Sequence, residues 1–357
     1  MRRALELARK AEGRTSPNPM VGAVIVKDGK VVGEGYHKRA GSPHAEIVAL
    51  KKAGSNAKGA TLVVNLEPCS HQGKTGPCAV AVIASGIREV VVGMRDPNNL
   101  VAGKGNRLLK QAGIKVATGI LKNECRRLNE VFIKFIGKHR PFVILKAAIS
   151  LDGKIATEVG ESKWISGPQS RKRVHQIRDK VDAIMVGAGT VLKDDPRLTV
   201  RLKNRKGKQP VRVILDNKNL TPLSGRVYNA ASTGKVLYVT SKQISPYREN
   251  RLKRKDVEVC ILKEKDGGVH LPQLMKYLAD RNIASVLIEG GAALYASALK
   301  EKIVDKIILF AAPIIIGGQK SPSVIGGEGV KRLKDAWKIK DLTVCQIDKD
   351  LMLEGYL

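Results

Sequence analysis

His44 and Glu46 in "PHAE" (43–46), with Cys69 and Cys78 in "EPCSHQGKTGPC" (67–78), could together activate a water molecule. One imidazole and two thiolates supply three ligands for a tetrahedral Zn2+, with the fourth position left open. Zinc lowers the pKa of a bound water from about 15.7 toward about 7, so hydroxide is available at neutral pH. A glutamate two residues past the histidine, at the start of a helix, is aimed at that water without touching the metal. It can take the water proton, deliver it to a ring nitrogen and help ammonia leave, which is hydrolytic deamination of a nitrogenous base. A lone histidine or a lone pair of cysteines is commonly inert. The four together are read as a catalytic metal site.

That site needs a scaffold joining positions 44, 69 and 78. "MRRALELARKAEGR" at the N-terminus predicts an amphipathic helix. "VGAVIVKDGKVVGEGY" (21–36) alternates as a hairpin, with Asp28-Gly29 suited to a two-residue turn. A helix is expected from Ala45 to Ala53, then a buried strand over 60–66, a helix from Cys78 to Ser85 and a strand over 88–94. A helix near 104–112, a short strand at 115–117 and a helix over 122–136 complete the segment. Alternating strands and helices imply an α/β layered fold. Gly137 is expected to stop the last helix and Pro141 to fix the entry of a new strand. This sets a boundary at 138–141, with domains of 1–139 and 141–357.

In the second segment strands are expected at 142–148, 182–187, 211–215, 235–239, 257–261, 284–288, 304–310 and 343–347. Helices are expected near 169–180, 271–281 and 291–299. "EGGAAL" follows a buried strand and opens a helix, so Gly290 and Gly291 let backbone N–H groups approach a pyrophosphate. "GAGT" (187–190) offers a second such turn, with the Thr190 hydroxyl as a phosphate or ribose partner. No G-x-G-x-x-G occurs, which argues against a Rossmann domain.

With 357 residues, 43% of them hydrophobic, the chain can bury two cores. The longest apolar run, "IILFAAPIII" (307–316), has half the roughly 20 residues of a membrane helix and contains a proline, so it reads as buried strand. The N-terminus lacks the apolar block of a signal peptide, and a cytoplasmic, reducing location is expected. Five cysteines, an odd number, weaken a disulfide framework further. Cys125, Cys260 and Cys345 are read as small buried hydrophobes. The net charge of +31 includes dense patches at "KNRKGK" (203–208) and "RENRLKRKDVEV" (248–259). Aromatics are 4% and do not interleave with these patches as in a stacking interface, so nucleic acid is not an expected partner. The field would gather small anions instead.

"SPNPMVGAVIVKDGKVVGEGYHKRAGSPHAE" (16–46), "CSHQGKTGPC" (69–78) and "VVGMRDPNNLVAGKG" (91–105) resemble the bifunctional deaminase–reductase family of riboflavin synthesis. "LKAAISLDGKIA" (145–156), "SKWISG" (162–167), "DAIMVGAGTVLKDDPRLTVR" (182–201) and "IEGGAALYASAL" (288–299) extend the resemblance through nearly the whole chain. It implies a cytidine-deaminase-like three-layer domain followed by a dihydrofolate-reductase-like domain, with Zn2+ and NADPH as cofactors. The implied reactions are deamination of 2,5-diamino-6-ribosylamino-4(3H)-pyrimidinone 5′-phosphate and then reduction of its ribosyl group to ribityl.

The resemblance further implies that Asn18 and His37 contact the pyrimidine. His71 and Lys74, in the loop between the cysteines, are candidates for phosphate contact or plain solvated loop residues. The resemblance implies cofactor contacts from Ala148, Trp164, Thr190, Asp194 and the segment Gly291, Ala292, Ala293, Leu294, Tyr295, Ala296 and Ser297. Substrate contacts are implied for Ser162, Arg178, Leu198, Arg201 and Glu289; guanidinium groups suit a 5′-phosphate. Lys146, a lysine in an apolar strand, could work with Glu289 in the proton movements of ring opening and hydride delivery. A homo-oligomer is expected. The rival reading, a tRNA-type nucleic-acid deaminase, expects a compact Cys-x-x-Cys, whereas eight residues separate the cysteines here. It also leaves 142–357 without a role. A nucleic-acid-binding module on a degenerate scaffold would need Glu46 or a ligand to be missing, and all are present.

Overall fold

Helix α1 (Arg2–Arg9) buries Ala4, Leu5, Leu7 and Ala8 and leaves its arginines outside, as its apolar spacing dictates. The structure, a computed structural model, describes residues 1–70, 76–98, 102–203, 207–229 and 234–357. It divides into two compact units, Met1–Arg140 and Pro141–Leu357.

In the first unit β1 (Gly22–Lys27) and β2 (Lys30–Tyr36) form the expected hairpin, with Asp28 and Gly29 both left-handed at the turn. They are followed by α2 (Ala45–Ala53), β3 (Thr61–Leu66), α3 (Cys78–Ala84), β4 (Glu89–Met94), α4 (Lys104–Gln111) and β5 (Lys115–Thr118). The sheet runs β2-β1-β3-β4-β5, with β1 antiparallel to its neighbours and β3, β4 and β5 parallel. Ile25, Leu62, Val64, Val90 and Val92 build the core with Ala45, Ala49, Ala79 and Val82.

The single helix expected over 122–136 is two, α5 (Lys122–Leu128) and α6 (Glu130–Lys138). Asn129 breaks it. Its buried amide accepts from Met20 N (2.8 Å) and donates to Met20 O (3.0 Å), a tertiary bond that outweighs continuation of the helix. Gly137 does not stop α6 as expected; His139 does, at φ 47°.

The second unit contains β6 (Phe142–Ser150), α7 (Pro168–Arg178), β7 (Ala183–Gly187), α8 (Ala188–Asp194), β8 (Val211–Leu215), β9 (Val236–Thr240), α9 (Pro246–Lys253) and β10 (Val257–Ile261). A small ladder, β11 (Glu264–Lys265) with β12 (Gly268–Val269), precedes α10 (Leu271–Ala279), β13 (Ser285–Ile288), α11 (Ala292–Lys300), β14 (Lys306–Ala312), β15 (Lys340–Ile347) and β16 (Asp350–Tyr356). The large sheet runs β10-β9-β8-β7-β13-β6-β14-β16-β15, parallel except where β16 pairs with β14 and β15. Helices α8 and α9 and strand β16 were not expected. In β16 the buried residues are Asp350, Met352 and Gly355, which break strict alternation, and Glu354 and Gly355 weaken its strand pattern. Cys345 lies exposed on the edge strand β15, contrary to its reading as buried, while Cys125 and Cys260 are buried. Among the described residues no helix is long and apolar enough to cross a membrane.

Candidate zinc centre and reductase site

Two helix starts and one strand exit converge on a single point. His44 caps α2 in extended conformation (ψ 158°), Cys78 is the first residue of α3, and Cys69 sits three residues after β3. His44 Nδ1 is 3.1 Å from Cys78 Sγ and 3.6 Å from Cys69 Sγ, and the three ligand atoms lie within 4.8 Å of one another. Zinc bonds of about 2.0–2.3 Å in a tetrahedron put nitrogen and sulfur about 3.5 Å apart, so this donor set fits the ion. The Cys78 N–H donates to Cys69 Sγ (3.3 Å). Hydrogen bonding to Cys78 and to His44 holds the Cys69 thiol below its ordinary range, and contact with Cys69 plus burial pushes Cys78 up. A hydrogen bond of its own with Cys69 raises His44.

Glu46, in the first turn of α2, is 3% exposed, and burial pushes its carboxyl up to about 7. A carboxylate at that value can both take and return a proton near neutral pH. The His37 ring packs edge-on to His44 at 5.6 Å. Its Nε2 lies 3.2 Å from Asn18 Nδ2 and its Nδ1 lies 3.2 Å from Pro43 O. Donation from Asn18 to Nε2 and from Nδ1 to Pro43 requires a neutral ring, and burial lowers the His37 pKa in the same sense. Asn18 and His37 are thus brought together beside the metal ligands. His71 and Lys74 lie outside the described residues, as does part of the "KNRKGK" patch.

In the second unit Lys146 and Ala148 share the less deeply buried face of β6, while Leu145 and Ala147 point into the core. Leu145 pairs with Ile288 of β13, which places the next residue, Glu289, beside Lys146. Lys146 Nζ donates to Glu289 Oε2 (3.3 Å), and Arg178, the last residue of α7, grips the same carboxylate with Nε (2.6 Å) and Nη2 (2.8 Å). A third bond from Arg178 Nη1 reaches Thr199 O (3.1 Å), so three of the five guanidinium N–H groups are held by the protein itself. Arg201 Nη1 donates to Thr199 Oγ1 (2.9 Å). Leu198 is buried with φ 53°.

Gly290 and Gly291 adopt φ 150° and 88° ahead of α11. A Cβ on Gly290 would lie 2.7 Å from Thr190 Oγ1 on α8, so only glycine lets this turn pack so closely against Thr190. Ala293 and Ser297 are exposed on α11, whereas Leu294 and Tyr295 turn into the core. The Tyr295 hydroxyl donates to Lys146 O (2.5 Å). Ser162 Oγ donates to Asp194 Oδ1 (3.4 Å) at the end of α8, and exposed Trp164 stacks under Arg171 at 4.6 Å.

No sequence signal marks His175, whose Nδ1 accepts from Arg201 N (3.3 Å). Burial and the nearby Arg178 and Arg201 push it down to about 4, so it is neutral at physiological pH. Asn65 likewise accepts from Gly22 N (2.8 Å) and donates to Met20 O (2.9 Å). With Asn129 it fixes the segment carrying Asn18. A buried asparagine inside a strand is the one sequence signal that could have found it.

Residues 1–94 match the model of the cytidine and deoxycytidylate deaminase zinc-binding region, and residues 141–353 match that of the RibD C-terminal domain. The riboflavin biosynthesis protein RibD of Aquifex aeolicus is 46% identical over 353 residues, 99% of this chain and 96% of its own length. That of Escherichia coli K12 is 39% identical over 365 residues, covering 99% and 97%. Among solved structures, RibD of Acinetobacter baumannii superposes with a TM-score of 0.88 at 38% identity, over 99% of this chain and 97% of that one. A Thermotoga maritima diaminohydroxyphosphoribosylaminopyrimidine deaminase/5-amino-6-(5-phosphoribosylamino)uracil reductase gives 0.87 at 41% identity, over 100% and 97%. A nucleic-acid deaminase would leave the whole second unit unmatched. The chain belongs to the RibD family, bifunctional enzymes of riboflavin biosynthesis that join a zinc-dependent deaminase to an NADPH-dependent reductase.

Proposed function

We propose that the first unit deaminates 2,5-diamino-6-ribosylamino-4(3H)-pyrimidinone 5′-phosphate and that the second reduces the deaminated product's ribosyl group to ribityl. The observation that carries the first half is the convergence of His44, Cys69 and Cys78 within 4.8 Å beside a buried Glu46. Held by those ligands, zinc supplies a water acidic enough to be nucleophilic at neutral pH. Glu46 would take one proton from the water and deliver it to the ring nitrogen, then carry the second, from the added hydroxyl, to the amino group, which leaves as ammonia while the carbonyl forms. Asn18 offers a donor and an acceptor to the base edge, and neutral His37 is oriented by Pro43 to meet the substrate.

In the reductase unit the cradle of Gly290, Gly291 and Thr190 holds the NADPH pyrophosphate, with Ala148, Trp164, Asp194 and the exposed side of α11 completing the cofactor's contacts. NADPH supplies the hydride for C1′. Lys146, held by the anionic Glu289, assists the proton movement that accompanies ring opening, and Arg201 binds the 5′-phosphate beside Ser162. Arg178 holds the Glu289 carboxylate against Lys146 and can offer its remaining N–H groups to the substrate. Leu198 shapes the wall between them.

Purified protein should release ammonia from the pyrimidine without NADPH and oxidise NADPH only once deamination has occurred. NADPH oxidation on the amino substrate with no ammonia release would overturn the order. Gly290→Ala should raise the KM for NADPH about ten-fold or more and leave ammonia release untouched, because the new methyl meets Thr190 Oγ1 in the cradle. Steady-state titration with NADPH checks it.

The +31 charge should act on both anionic ligands. Raising salt from about 0.05 M to about 0.5 M shortens the range of the field several-fold. KM for the phosphorylated substrate and for NADPH should rise several-fold while each kcat changes little. A homo-oligomer in the cytoplasm completes the proposal, and light scattering of the purified chain tests the first of these.

A further inference from the structure

Glu67 takes no part in the proposed reaction, yet it is 4% exposed beside the metal site. It directly follows β3 and accepts three backbone N–H groups. Asn106 N binds Oε1 (3.1 Å), while Asp96 N (3.2 Å) and Gly103 N (3.1 Å) bind Oε2. Its own N–H donates to Met94 O (3.0 Å), the last residue of β4. Gly103 is the cap of α4 and Asn106 lies in its first turn, so a carboxylate from a distant segment closes the start of that helix.

The same helix start presses on the next residue of the loop. A Cβ on Gly105 would overlap the carbonyl oxygen of Pro68, so only glycine lets α4 approach this closely. The following residue is Cys69, whose carbonyl accepts from Ala79 N (3.1 Å) and whose sulfur accepts from Cys78 N. The chain is therefore pinned at Glu67, at Pro68 and at Cys69 in succession. A ligand on a loop needs such support, because a tetrahedral site tolerates errors of only a few tenths of an ångström.

We propose that Glu67 is a positioning residue of the zinc centre: by tying the exit of β3 to the start of α4 it sets Cys69 at coordination distance from His44 and Cys78. The proposal rests on the zinc reading given above. Glu67→Gln preserves size and one acceptor but turns an amide N–H2 against backbone N–H groups. Gly105→Ala leaves the carboxylate intact and displaces Pro68 from the other side.

Both variants, loaded with zinc, should transfer it to a chromogenic chelator about ten-fold or more faster than the wild type, the usual scale for loss of a supporting bond around a metal ligand. Their cobalt-substituted forms should show altered d–d absorption, which reports coordination geometry, while NADPH oxidation on the deaminated substrate stays at the wild-type rate. Wild-type release rates and cobalt spectra in both variants overturn the proposal. So does loss of protease resistance throughout 1–140 in both zinc-loaded variants, which makes Glu67 an element of general stability. A wild-type chain that binds no zinc overturns this proposal and the zinc reading together; zinc-loaded wild type with unchanged variants overturns this one alone.

Discussion

Glu46→Gln is expected to keep its zinc and its fold and to deaminate about 10³-fold or more slowly. A positioned acid–base group contributes about 10²–10⁴-fold, and this one is used more than once per turnover, which places the effect in the upper part of that range. Glutamine fills the same buried volume at the first turn of α2, so the change removes proton transfer with little disturbance of packing. The ligand atoms belong to His44, Cys69 and Cys78, so the metal content of the variant should equal that of the wild type. Reductase activity on already deaminated substrate should also be unchanged. Ammonia release, metal analysis and NADPH oxidation measured on one preparation separate these outcomes, and full deamination by the variant would rule out Glu46 as the proton carrier.

The zinc ligands could be read directly because their chemistry is scarce and their surroundings are local. Each stands at a junction, His44 and Cys78 at helix starts and Cys69 after a strand, and such junctions follow from hydrophobic period and capping. The helix over Ala45–Ala53 was legible to the residue for the same reason. Roles that depend on partners far along the chain were not. Glu67 gathers three backbone donors 29 to 39 residues away, and in the sequence it is only a polar residue ending a strand. Asn129 breaks a periodic helix for a bond to Met20, 109 residues distant, which no local pattern encodes. Arg178 reads as a phosphate ligand because guanidinium suits phosphate, and its engagement with Glu289 across 111 residues becomes visible only in the assembled sheet. The short α8 and the hairpin strand β16 escaped because seven-residue elements with glycine or charge in them carry little periodic signal.

Glu289→Gln should be costly for the second unit alone. The carboxylate is 3% exposed and faces two cations, Lys146 and Arg178, each 13% exposed. Taking its charge away leaves both cations buried against each other, and breaking such a group by removing one partner costs about 3–5 kcal/mol. Glutamine keeps one acceptor, which favours the lower figure. A loss of about 3 kcal/mol lowers the melting temperature of a unit this size by roughly 6–12 °C. The pH dependence has a definite sign. Burial alone would raise the carboxyl of Glu289, but Arg178 and then Lys146 overcome it and hold the group down to about 2, against an ordinary 4.5. Its contribution is therefore complete above about pH 4.5 and is lost as the pH falls from there toward about 2. The stability gap between wild type and variant should accordingly be wide at neutral pH and narrow in acid, as denaturant melts of the reductase transition at both pH values would record. NADPH oxidation should fall about 10²-fold or more because Lys146 loses the carboxylate that holds its ammonium in place. Ammonia release, which depends on Glu46 and the three zinc ligands, should be unaffected. A variant whose reductase transition matches the wild type at pH 7 would mean that the two cations do not depend on this carboxylate.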